Sequence, residues 1–137
     1  MATIVDKENV IQAYDAVRDV NTDITWAVFK YDNNYLVCGG VGNDFDEMKS
    51  HFTDDDRLFA YVCVEVGDSY AQHCSKFVLL TWFGPQVSVI QRARMSTDKG
   101  LLKEIVLVRN DDAHVAVLQY FQKSSTSRPL IRLLQNI

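Results

Sequence analysis

The sequence predicts an α/β (α+β) domain built on a mixed central sheet of about five strands flanked by helices. Three observations lead there. The 137 residues are 47% hydrophobic and 23% charged, which is enough apolar material for one packed core. The apolar spacing alternates between helical and strand periods along the chain. Strands joined by short turns favour antiparallel pairs, while one long helical stretch before the last strand permits a parallel pair.

Asp6 caps a helical pattern with Val10, Ala13, Tyr14 and Val17 on one stripe, and Asn21-Thr22-Asp23 ends it. Ile24 to Lys30, rich in β-branched and aromatic residues, reads as a strand. Asp32-Asn33-Asn34 turns the chain, and Tyr35 to Cys38 returns as the second arm of a hairpin. Gly39-Gly40-Val41-Gly42 reads as a flexible turn, since a phosphate loop would need a Gly-Lys-Ser/Thr ending. Asn43 caps a short helix through His51 with Phe45, Met48 and Phe52 inward. Strands follow at Arg57–Val66 and Lys76–Phe83, the second apolar enough to suggest the sheet centre. Gly84-Pro85 leads into a long helix from Val87 to Val108, whose inward stripe is read as Ile90, Ala93, Thr97, Leu101 and Ile105. His114–Phe121 forms a last strand, and Pro129 opens a terminal helix over Leu130–Gln135. No repeat or linker divides the chain, so residues 1–137 are expected to form one domain.

Composition narrows the function. No apolar run approaches the roughly 18 residues a membrane-spanning helix needs. The opening MATIVDKEN is mixed and charged, so no signal peptide is expected, and an integral membrane protein is excluded in favour of a cytoplasmic one. Three cysteines without a C-x-x-C pair indicate neither a disulfide framework nor a cysteine zinc site. The net charge of −4 argues against a nucleic-acid binder. That sum hides an asymmetry. Residues 1–60 carry 5 basic and 12 acidic side chains, whereas residues 61–137 carry 9 and 6. The surplus gathers at Arg92, Arg94, Lys99, Lys103 and Arg109, which suits docking onto an acidic surface and equally suits a solvated helix face.

Catalytic chemistry is sparse. His51, His73 and His114 are scattered without metal-ligand spacing, and His73-Cys74 is the only adjacent cysteine–histidine pair, with no orienting third group. Asp54-Asp55-Asp56 reads as a loop or cap. Tyr61, Phe77 and Phe83 could stack bases but lack a basic-aromatic RNA motif, so core packing accounts for them better. Nothing asks for a cofactor, and the chain is expected not to be an enzyme. The basic helix remains. Arg92, Lys99 and Lys103 project close together, Arg94 about 200° from Arg92, and Met95 adds an adaptable apolar contact at the surface.

At this point the residues are similar to a known family. Asp55-Asp56-Arg57-Leu58-Phe59-Ala60-Tyr61-Val62, Ser75-Lys76-Phe77 through Phe83-Gly84, Gln91-Arg92-Ala93-Arg94 and Thr97-Asp98-Lys99 resemble the coactosins, of the actin-depolymerising-factor homology (ADF/cofilin) family. The likeness covers about residues 1–108. It implies a mixed sheet flanked by helices, and binding to the side of actin filaments in the cytoskeleton. It further implies no severing, and protection of filament ends from capping proteins. By resemblance, Lys76 is the filament-binding lysine of the Ser-Lys-Phe motif, and Arg92-Ala93-Arg94-Met95 is the docking motif of the long helix. Competition by phosphoinositides at Lys76, Arg92 and Arg94 is a further implication.

Departures matter too. Where relatives often read Lys-Arg before Ser-Lys-Phe, this chain has His73 and Cys74, and its end after Val106 diverges into Arg128-Pro129-Leu130-Ile131-Arg132-Leu133-Leu134. The alternative reading is therefore a regulatory adaptor on the same fold that binds a partner other than actin.

Overall fold

The structure, a computed structural model, describes residues 2–19, 21–64, 76–109 and 113–119. Its elements are β1 (Ile4–Val5), α1 (Lys7–Arg18), β2 (Trp26–Asp32), β3 (Tyr35–Gly42), α2 (Phe45–Lys49), β4 (Arg57–Val64), β5 (Lys76–Phe83), α3 (Val89–Arg109) and β6 (Ala113–Gln119). The expected terminal helix over 130–135 and the 67–74 loop with His73 and Cys74 lie outside the described residues.

One six-stranded sheet runs in the order β1-β3-β2-β4-β5-β6. It holds the five expected strands plus the two-residue β1, which was too short to register as a periodic pattern. The inner pairs are antiparallel, while β1–β3 and β5–β6 are parallel. The parallel β5–β6 pair is the one made possible by the α3 crossover. β5 lies one strand from the edge rather than at the centre. It is nevertheless packed on both faces, which explains its unbroken apolar run.

Strand alternation splits the core in two. Phe29, Phe59, Tyr61 and Leu79 face α1 and α3 and meet Val10, Tyr14, Val17, Met95 and Leu102. Trp26, Val28, Leu58, Ala60, Val62, Val78, Leu80 and Trp82 form the opposite layer with Met48 of α2. Both tryptophans bury their rings yet keep a partner: Trp26 Nε1 donates to the Asp44 carbonyl at 2.9 Å, and Trp82 Nε1 donates to the Thr53 carbonyl at 3.0 Å.

Local signals explain the starts and turns. The Asp6 carboxylate accepts from the Asn9 N–H at 3.2 Å, capping α1 as expected. Asp44, not Asn43, caps α2, accepting from the Asp46 N–H at 3.0 Å. Asn33 takes the left-handed conformation at φ 55° that the tight β2–β3 turn requires. The glycine run corrects the sequence reading: residues 39–42 are strand, not a flexible turn. A Cβ on Gly39 would stand 2.8 Å from Lys30 Cγ, and one on Gly42 would stand 2.5 Å from the Trp26 ring. Glycine there makes room for two large side chains of the neighbouring strand.

Candidate functional site

The entry to α3 is tightly built. A Cβ on Gly84 would fall 2.1 Å from the Asp54 carbonyl oxygen, so only glycine lets β5 pass under the 53–56 turn. The Gly84 N–H donates to the Asp56 carbonyl at 3.0 Å, and the Gln86 N–H to the Asp54 carbonyl at 2.9 Å. Ser88 Oγ then accepts from the Gln91 N–H at 3.2 Å, satisfying an orphan donor of the first helical turn. These bonds pin the start of α3 to the sheet.

The helix buries Met95, Asp98 and Leu102, with Ile105 packed partly against the same core. This overturns the expected inward stripe at Ile90, Ala93 and Thr97, while Ile105 keeps its expected inward place. Ile90 is 70% exposed and Val89 78%, and Ala93 and Thr97 are also exposed. Both stripes have helical spacing, and the one that won contains a charged residue, which disguised it. Met95 must be corrected as well: it is 1% exposed, so it packs the core and cannot be a surface contact in this conformation.

The outward surface is consequently well defined. With about 100° per residue, half-buried Arg92 and Lys99 and exposed Lys103 cluster on one flank, and exposed Arg94 lies on the other. Between the flanks lie the exposed small residues Ala93, Ser96, Thr97 and Gly100, with Val89 and Ile90 at the N-terminal end and exposed Glu104 toward the C-terminal end. Arg92 is held down: its guanidinium donates to the Pro85 carbonyl at 3.3 Å and stands 5.2 Å from the Phe83 ring centroid. Lys76 opens β5 opposite Val64, away from the α3 start, which follows the far end of that strand. Four of the six expected contact residues thus share one helix surface, Met95 is beneath it, and Lys76 belongs to another end of the sheet. The sequence reading missed Val89 and Ile90. Their signal was an apolar pair just after a Ser88 cap, ahead of the turn where burial begins.

Other expected chemistry resolves into structure. Asp56 pairs with Lys30 at 3.3 Å and accepts from the Arg57 N–H at 2.8 Å, while Asp55 accepts from Thr53 Oγ1 at 2.9 Å, so the triple-Asp segment builds a turn. Tyr61 is fully buried and stacked on Phe77 with centroids 5.7 Å apart, so it offers no base platform. Burial pushes the Cys38 thiol up, toward the unreactive form. Cys38 is free and Cys63 is disulfide-bonded, where no disulfide framework was expected. Among the described residues no three His, Cys, Asp or Glu side chains gather to hold a metal ion, and no helix is long and apolar enough to cross a membrane.

A sheet sandwiched by helices, presenting one long helix with a basic-flanked outer face, is the architecture of an actin-depolymerising-factor homology domain. Residues 3–127 match the family described as cofilin/tropomyosin-type actin-binding protein, and the chain belongs to that family. Within it, the likeness is to the coactosins. The chain is 46% identical over 106 residues to the coactosin-like protein of Rattus norvegicus, covering 77% of this chain and 74% of the relative. The crystal structure of human coactosin-like protein superposes with a TM-score of 0.82 at 38% identity, covering 99% of this chain and 100% of that one. Mouse coactosin, described as an actin filament binding protein, gives 0.75 at 38% identity, covering 99% and 92%.

Proposed function

We propose that this protein binds the side of actin filaments through the outer face of α3 together with the Lys76 end of β5. In this reading it regulates filament dynamics without severing, and it opposes capping at filament ends. The observation that carries the reading is the exposed Val89–Ile90 pair, 78% and 70% accessible, one turn before Arg94 on a helix pinned to the sheet from behind. Each apolar side chain, if buried by a partner, supplies about 1.5–3 kcal/mol. The flanking cations add attraction for an acidic partner and make association sensitive to salt. The description of mouse coactosin as an actin filament binding protein supports the same partner.

Cosedimentation with actin filaments at low and moderate salt tests the reading. Pelleting that weakens as salt rises supports it. No pelleting at low salt and high filament concentration would replace it with the adaptor reading, in which the same face takes a non-actin protein. Filament lengths followed by microscopy, with and without capping protein, decide severing and capping separately.

A further inference from the structure

Among the described side chains, the buried stripe of α3 contains one charge. Asp98 is 3% exposed, and its Oδ2 accepts from the Tyr31 hydroxyl of β2 at 2.5 Å. Tyr31 is itself held from the other side, with the Arg57 guanidinium 3.8 Å from its ring centroid and Phe59 6.3 Å away. Burial pushes the Tyr31 phenol up, and the bond to Asp98 and its charge push the same way against Arg57, so the hydroxyl stays a donor.

Apolar packing is non-directional, and the other buried members of the stripe are Met95 and Leu102, with Met the most adaptable of core residues. Contacts of that kind resist separation of the helix from the sheet but tolerate rotation. A charge-assisted hydrogen bond does not, because it weakens steeply as distance and angle depart from optimum, and an orphaned carboxylate in the core is costly. Gly100, at the middle of the outer face, lies about 160° around the helix from Asp98. Turning α3 by about 30° would move groups at its surface, about 5–6 Å from the axis, by about 3 Å.

We propose that Tyr31 and Asp98 are a positioning pair that sets the rotation of α3 and hence the aim of its docking face. The proposal rests on the docking reading above, and its test separates the two. In the full-length chain, Tyr31→Phe should lower the melting temperature and weaken filament binding, whereas Asp98→Asn, which keeps an acceptor for the phenol, should preserve binding. The double variant Tyr31→Phe/Asp98→Leu removes both polar groups and should recover the melting temperature. Its filament affinity should nonetheless stay about tenfold below wild type, and in Tyr31→Phe, which changes no residue of α3, backbone amide signals from Ala93 to Gly100 should shift or multiply. Binding that recovers in step with the melt in the double variant, or unchanged α3 amide signals in Tyr31→Phe, would overturn the positioning role. If the wild type fails to pellet with filaments, the docking reading falls, and the amide signals still decide whether the pair sets the helix rotation.

Discussion

The Arg92 guanidinium donates to the Pro85 carbonyl at 3.3 Å, so one of the two arginines flanking the proposed docking face is tied to the fold that carries it. Arg94, on the other flank, is exposed. The two should therefore separate under mutation. Arg94→Ala is expected to cost about 1–3 kcal/mol of filament binding with an unchanged melt. Arg92→Ala should also lower folding stability by about 1 kcal/mol, because it forfeits the Phe83 contact as well as the Pro85 bond. Paired cosedimentation and thermal melts check this. Equal stability loss in both variants would contradict it.

Two glycines should respond in opposite directions. Gly84→Ala forces a methyl onto the Asp54 carbonyl and is expected to destabilise by at least about 1–3 kcal/mol. Gly100 lies in a helix with nothing within 4 Å of a built Cβ, so Gly100→Ala should stabilise by about 1 kcal/mol. Urea unfolding of both variants measures the contrast.

Burial lowers the His51 imidazole below its ordinary 6.5, and Lys30 adds to the effect, while Glu47 and Asp56 oppose it. The folded chain consequently holds that proton less well than the unfolded chain. Its contribution to stability is complete above pH 6.5 and declines as pH falls through 6.5 toward the lowered folded value. His51→Gln should reduce the difference in melting temperature between about pH 7.5 and pH 5.5. An identical difference in both proteins would show that other groups carry it.

How far the sequence could be read depends on whether the determining contacts are local. The α1 cap at Asp6, its stripe of Val10, Ala13, Tyr14 and Val17, and the β5 run are local patterns, and the structure places them as expected. The 39–42 glycines were misread because their role is to admit Lys30 and Trp26 from a neighbouring strand, a tertiary demand that composition does not encode. The face of α3 was misread because Asp98 looks solvent-seeking until its partner is known, and that partner, Tyr31, is 67 residues away. The basic residues of α3 were legible as charges, since charge is read directly, and the structure places Arg92, Arg94, Lys99 and Lys103 on its outer flanks. That they dock a partner is the proposal above. Which apolar neighbours stood exposed beside them was not legible, because periodicity offered two stripes and only packing chose.

Lys76 opens β5 at the opposite end of the strand from the α3 entry. If the filament is engaged by both regions, losses there should be additive, because distant sites that share no partner couple weakly. Lys76→Ala and Arg94→Ala are each expected to weaken pelleting, and the double variant should lose the sum of the two free energies within about 0.5 kcal/mol. A double variant no weaker than either single would place both residues in one contact or neither in any.

The final expectation concerns Val89 and Ile90, the large apolar side chains most exposed among the described residues. In the free protein, replacing either by serine removes little that is packed, so the melt should shift by no more than about 0.5 kcal/mol. Docking would desolvate them, and each loss should then cost about 1.5–3 kcal/mol of binding, or roughly one to two decades of affinity. The basic flank predicts a different signature, since cation contacts fade with salt while apolar burial does not. Val89→Ser and Ile90→Ser should therefore weaken filament binding by the same factor at low and moderate salt, whereas the penalty of Arg94→Ala should shrink as salt rises. Serine variants that pellet like wild type at both ionic strengths would leave the apolar end of α3 outside the interface.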